Sequence, residues 1–161
     1  MNGISDKKLL FKSLYIEIKA ILDGDANTDE KLLTICKLLK GNIEYYDWVG
    51  FYLVNPTVKN ELVLGPYEGE PTEHIRINFG QGICGQAAEI KDTFVVQDVS
   101  KETNYLSCSP RVKSEIVVPI FSEGELVGEI DIDSHSISPF TDEDKMFLEE
   151  IANLVAGLFQ E

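Results

Sequence analysis

A chain of 161 residues, 43% hydrophobic and 26% charged, has the size and composition of one globular unit with a substantial core. Its 14 basic side chains against 28 acidic ones give a net charge of −14, a field that repels phosphate backbones and excludes nucleic-acid binding through a basic surface. No apolar run approaches the roughly 20 residues of a membrane span, and the first residues lack the apolar stretch of a signal peptide, so no membrane partner is expected and the expected compartment is the cytoplasm.

In chain order, apolar residues recur from Ser5 at Leu10, Leu14, Ile18 and Ile21, one face of a helix that Gly24 and Asp25 break. Asn27 caps a second helix, with Glu30 in the capping-box position; it buries Leu33, Cys36 and Leu39 and stops near Gly41. Cys36, with no activating charge around it, reads as a small core hydrophobe. Trp48 to Val54 is an aromatic and β-branched strand ending at Asn55-Pro56. Glu61 to Leu64 is a short partner closed by Gly65-Pro66, and His74 to Ile77 leads into a glycine turn at Gly80 to Gly85. Cys84 to Ile90 forms a short helix and Thr93 to Val96 another strand. Asp98 to Lys113, with Asn104, Ser107, Ser109 and Pro110, is a long loop of the kind that is usually functional or mobile.

The strands Glu115 to Phe121 and Leu126 to Ile132 form a hairpin around Glu123-Gly124. Thr141 caps the last helix, with Asp144 completing a capping box and Phe147, Ile151, Leu154 and Leu158 facing inward. The element order predicts an α+β fold, an antiparallel sheet with helices from both chain ends on one face. The other face and the long loop would enclose a pocket.

Three cysteines are too few for a disulfide scaffold and match no zinc-ligand spacing. His74 and His135 have no second histidine nearby, so no metal site is expected. Cys108 is the stronger nucleophile candidate, because Arg111 and Lys113 follow within five residues and positive charge favours the thiolate. Cys84 is either part of a tight turn or a second thiol for an oxidised Cys108. The glycine turn lacks the Lys-Ser/Thr pair of a P-loop and the spacing of a dinucleotide fingerprint. Trp48, Tyr52, Tyr67 and Tyr105 line either a pocket or the core.

Asp131 and Asp133, two apart on a strand, share a face. They point to water, or they are buried with a cation or hydrogen-bond donors to offset the cost. Whether Glu115 joins them depends on the hairpin. A three-residue loop pairs it with Asp131; a two-residue loop sends it to the other face.

Several stretches resemble the free methionine-(R)-sulfoxide reductases, single GAF-domain proteins: Trp48 to Leu53, Leu64 to Gly69, Gly80 to Gly85, Ser114 to Pro119, Gly128 to Ser134 and Phe140 to Asp144. The resemblance implies a GAF-like fold with a central antiparallel sheet of about six strands and a homodimer. It implies one domain over 1–161, with helices in 1–43, sheet and pocket in 46–133 and the last helix in 141–160. It assigns the nucleophile to Cys108 and substrate binding to Glu115, Asp131 and Asp133, which would grip the ammonium and serve the sulfoxide oxygen. Trp48 and Tyr52 would line the pocket beside them.

The implied partners are free methionine sulfoxide and a thioredoxin-type reductant, with no cofactor. Two positions depart from the family pattern: His74 replaces a common cysteine, and Ser109 a common aspartate. That leaves Cys84 as the internal thiol to resolve Cys108. The alternative is a non-catalytic GAF module that binds a small ligand and reports it to a partner.

Overall fold

The computed structural model describes residues 3–107 and 109–160, apart from the side chains of residues 3–5. Cys108 therefore lies outside the described residues. Six segments pair into one antiparallel sheet: β1 (Trp48–Val54), β2 (Glu61–Glu68), β3 (Arg76–Asn78), β4 (Phe94–Val96), β5 (Ser114–Ser122) and β6 (Glu125–Ser134). Their spatial order is β3-β2-β1-β6-β5-β4, which places the two longest strands, β5 and β6, side by side. The fold is the expected α+β architecture.

The helices α1 (Gly3–Asp23), α2 (Thr28–Asn42) and α4 (Asp142–Val155) cover one face of the sheet. Their apolar stripes meet Val49, Phe51, Ile116, Val118, Ile130 and Ile132, which alternate with the residues pointing to the opposite face. Asn27 caps α2 by accepting from the Glu30 N–H at 2.9 Å. The buried stripe of α2 is Leu32, Ile35, Cys36 and Leu39, with Leu33 only partly covered. On α4 the buried stripe is Phe147, Leu148, Ile151, Ala152 and Val155; Leu154 and Leu158 sit at its margin. The expected stripe is thus rotated by about one position on each helix.

The opposite face carries α3 (Gly82–Ile90) and the segment after β4, which includes a short 3-10 turn at Val99–Lys101. Here Ile83, Cys84, Ala87 and Ala88 pack over Tyr52, Val96 and Val117 in a second, smaller core. Asn104 ties this layer together. Its side chain donates to the Gly80 carbonyl at 2.7 Å and accepts from the Gly82 N–H at 2.8 Å.

Two bulges shape the strands: the first departs from the expected end of β2, and the second decides a register that the sequence leaves open. β2 does not stop at Gly65-Pro66 but runs on to Glu68. Gly50 pairs with Tyr67 and Tyr52 with Leu64, so β2 carries one extra residue where the proline falls. A bulge leaves a residue out of the ladder, and proline, lacking an N–H, fits there.

The β5–β6 hairpin turns on two residues, Glu123 and Gly124, both at positive φ (53° and 82°), with Ser122 paired to Glu125. A plain two-residue turn would send Glu115 to the helical face. The register instead shifts between Ile120 and Phe121, where Gly128 and Leu126 are the respective partners and Val127 is the extra residue. Glu115 consequently pairs with Asp133, and all three acids share the face opposite the helices.

The helical layer is anchored by one buried carboxylate. Asp144 is fully buried, accepts from the Tyr45 and Tyr46 hydroxyls at 2.7 and 2.8 Å, closes the capping box with Thr141, and pairs with Lys7 of α1 at 2.5 Å. It joins α1, the α2–β1 connection and α4 at one point. Removing the acid leaves the buried Tyr46 hydroxyl and the half-buried Tyr45 hydroxyl without their acceptor and Lys7 without its ion pair, so Asp144→Ala should lower unfolding stability by about 3 kcal/mol. Urea titration of both proteins checks this; a loss within the scatter of ordinary surface substitutions would refute it.

Candidate active site

The sheet face opposite the helices is built for chemistry by strand alternation. Along β6, Glu129, Asp131 and Asp133 project to this side, and Ile130 and Ile132 to the helical core. Glu115 of β5 stands across from Asp133, and Val117 across from Asp131. All four acids are withdrawn from solvent, with Glu115 6%, Glu129 0%, Asp131 3% and Asp133 2% exposed.

Aromatic residues of β1 form one wall. Trp48 pairs with Asp133 across the β1–β6 ladder and stacks on Tyr67 at 5.3 Å between ring centroids. Its indole N–H donates to the Glu70 carbonyl at 3.0 Å, and the Tyr52 hydroxyl donates to the His74 carbonyl at 2.8 Å. Gly50 makes this wall possible. A Cβ there would lie 2.4 Å from the Trp48 ring and 2.7 Å from the Tyr67 Cβ, so only glycine lets the indole lie across β1.

The other wall is α3. The glycine turn before it brings Cys84 down onto the acids, with its thiol 3.9 Å from Glu115 Oε2. Tyr52, Cys84, Glu115 and Asp131 surround a gap that Leu106 and His74 close from above. That gap is barely large enough for one water molecule. Asp133 and Trp48 line a second small gap, together with Ser109 and Val112. His74 Nε2 lies 2.9 Å from the Ser107 carbonyl oxygen, so the histidine touches the chain immediately before Cys108. Arg111, one of the cations near Cys108 in sequence, is paired with Glu70, and Lys113 points to solvent.

Burial dominates the electrostatics. It pushes Glu129 and Asp133 well above the usual carboxylate range, with the Asp131 charge adding to both. Asp131 is also raised by burial, against which hydrogen bonding with Glu115 and Cys84 works. The Cys84 thiol is pushed well above its ordinary value, first by burial and then by Asp131, Glu115 and Glu129. Cys36 is raised too, by burial and then by Glu68, but it lies on α2 across the sheet, its thiol 3.6 Å from the Pro66 carbonyl. The site thus offers protonated carboxyl groups that can donate to a departing oxygen and, once ionised, hold an ammonium.

The model of the GAF domain matches residues 27–158 of this chain. The protein is 36% identical to free methionine-R-sulfoxide reductase of Saccharomyces cerevisiae, over 93% of this chain and 86% of the yeast protein. It is also 36% identical to GAF domain-containing protein A of Dictyostelium discoideum, covering 92% of each. The X-ray structure of free methionine-R-sulfoxide reductase from Neisseria meningitidis in complex with its substrate superposes with a TM-score of 0.89 at 36% identity. It covers 95% of this chain and 90% of that one.

The chain belongs to the GAF domain family, among the free methionine-R-sulfoxide reductases. Within this GAF fold, Trp48, Tyr52, Cys84, Glu115, Asp131 and Asp133 do converge on one face. Glu129 is the functional candidate that sequence reasoning missed. The same two-residue alternation that links Asp131 to Asp133 also reaches it. Both of its oxygens, with Asp131 Oδ1 and Asp133 Oδ1, lack a hydrogen-bond partner among the described residues.

The raised carboxyls of this GAF domain make its stability pH-dependent in a definite direction. A folded value above the unfolded one means tighter proton binding in the native state. The resulting stabilisation is complete below about pH 4 and is lost as pH rises toward the folded value. Glu129→Gln keeps the shape and removes the titration. Relative to wild type it should gain about 1–3 kcal/mol on going from pH 5 to pH 8 in unfolding titrations. An unchanged difference between the two pH values would mean that Glu129 is not held protonated.

Proposed function

We propose that this chain reduces free methionine-(R)-sulfoxide to methionine, with Cys108 as the nucleophile and Glu115, Asp131 and Asp133 as the substrate-binding acids. The observation that carries the reading is the convergence of those three buried carboxyls beside Trp48 and Tyr52 in a chain so similar to the named reductases. A pocket without the acids would favour the non-catalytic sensor; their presence together argues for chemistry.

In the reaction, the Cys108 sulfur attacks the sulfoxide sulfur while a carboxyl among the three protonates the oxygen. The sulfoxide gains two electrons and leaves as methionine. Cys108 loses two and keeps the oxygen as a sulfenic acid. A second thiol then condenses with the sulfenic acid, releasing water and forming a disulfide, which a thioredoxin-type dithiol reduces. The gap around Cys84 is too small for methionine sulfoxide, so Leu106 must shift for substrate to enter. A homodimer in the cytoplasm completes the proposal. Among the described residues, no helix is long and apolar enough to cross a membrane.

Purified protein should consume the R epimer of free methionine sulfoxide with dithiothreitol or thioredoxin as reductant. Cys108→Ser should abolish turnover, and Glu115→Gln should lower kcat/KM by about 10²- to 10⁴-fold. Full activity in Cys108→Ser would overturn the assignment.

With His74 at the usual cysteine position, Cys84 is the internal thiol proposed to resolve Cys108, and Cys36 on the far side of the sheet is not. Burial, and after it the acids around Cys84, suppress its thiolate, so resolution should be slow at neutral pH and accelerate about tenfold per pH unit. Peptide mapping after one turnover without reductant should give a Cys84–Cys108 disulfide and a free Cys36. Cys108 recovered only as sulfenic acid or as a mixed disulfide with added thiol would rule out internal resolution.

A further inference from the structure

The pocket gathers more negative capacity than the proposed reaction needs. Lys7, Arg76, Arg111, His135 and Lys145 pair with acids elsewhere, and no described cation pairs with Glu129, Asp131 or Asp133. At the centre, one donor atom each from Cys84, Glu115 and Asp131 lies within 4.8 Å of the others. Neither histidine takes part. The donor set is one soft sulfur and two hard oxygens, converging from α3, β5 and β6 on a gap of about one water's size.

We propose that Cys84, Glu115 and Asp131 form a binding site for a thiophilic divalent cation of the zinc class, with water as the fourth ligand.

Three features favour such an ion. Zinc accepts cysteine sulfur at about 2.3 Å and carboxylate oxygen at about 2.0–2.2 Å, which places neighbouring ligand atoms roughly 3.3–3.8 Å apart. The 3.9 Å between the Cys84 sulfur and Glu115 Oε2 is close to that spacing, and the remaining distances close with shifts of about 1 Å. Asp131 adds an independent indication. It lines the gap, it is buried, and its Oδ1 has no hydrogen-bond partner among the described residues. The mixed sulfur–oxygen set also discriminates: calcium and magnesium take oxygen ligands in larger numbers and gain nothing from the thiol. On binding, metal–sulfur and metal–oxygen bonds form, the Cys84 S–H proton and any proton held by the ligating carboxyls pass to solvent, and no electron is transferred.

The site lies inside the pocket that the reductase reading assigns to substrate, and its occupancy would remove Cys84 from reaction with Cys108. The inference itself stands on the donor geometry whether or not the chain is a reductase, and its test requires no turnover.

Reduced, desalted protein is titrated with zinc against a chromophoric chelator, and with cobalt(II) as a spectroscopic substitute. Wild type should bind one zinc per chain and show a thiolate-to-cobalt charge-transfer absorption. Cys84→Ser should lose that absorption and weaken zinc binding by more than about 10-fold. Asp131→Asn should keep the absorption while weakening affinity, and Cys108→Ser should behave as wild type in both assays. Calcium and magnesium in excess should not compete. The proposal is overturned if wild type binds no zinc, if Cys84→Ser retains the absorption, or if Cys108→Ser alone removes it, which would place the metal at the other thiol. Circular dichroism of each variant separates lost ligands from lost fold, and the wild-type and Asp131→Asn spectra decide the matter should Cys84→Ser not fold.

Discussion

The extra residue at Val127 sets which chemistry the sheet presents on each of its faces. The turn at Glu123 and Gly124 alone would pair Glu115 with Ile132 and bury its carboxyl among the hydrophobic side chains of α1, α2 and α4. By taking Val127 out of the ladder, β6 slips one position against β5. Because side chains alternate with a period of two, that single step moves the whole of β5 N-terminal to it between faces. Ile116, Val118 and Ile120 then join the helical core, and Glu115 and Val117 join the pocket. One inserted residue thus satisfies the core and assembles the acids at once.

Once assembled, the acids define an environment that punishes charge. Four carboxyls withdrawn from water, with a thiol among them, remain compatible with a folded protein only if most are protonated or if a cation arrives. Burial favours the first route for Glu129, Asp131 and Asp133, and the same burial, with the neighbouring acids, holds Cys84 as a thiol rather than a thiolate. A ligand carrying positive charge takes the second route. In the proposed readings, an ammonium and a metal dication meet that same demand by different means. On the opposite side, Asp144 is buried as deeply but is matched by Lys7, two tyrosine hydroxyls and the Thr141 cap, so its charge organises packing.

Much of this was legible beforehand because it depends on short-range rules. The limits of β1 follow from its run Trp48 to Val54, the start of α2 from Asn27, and the start of α4 from Thr141 and Asp144. Asp131 and Asp133 share a face for any straight strand. The same rule extends to Glu129, but its burial depends on β1 and β5 flanking β6. β2 was read as ending at Gly65-Pro66 because proline usually ends a strand; the bulge that accommodates it exists only when β1 lies alongside. Likewise, Arg111 beside Cys108 in sequence suggested an activating charge, whereas in space its guanidinium is engaged by Glu70.

The sequence by itself determined the element order, the caps, the two-faced strands and the family, since each rests on neighbours along the chain or on motifs in a row. Only the tertiary structure decided the β5–β6 register, the depth at which the acids lie, and the meeting of Cys84 with Glu115 and Asp131 from three separate elements. The physical reason is that register and burial are properties of pairs of segments. A bulge costs little locally and is selected by which side chains the rest of the fold can cover. Protonation states follow from that burial, so the chemistry of the site emerges only when the sheet is closed on both faces.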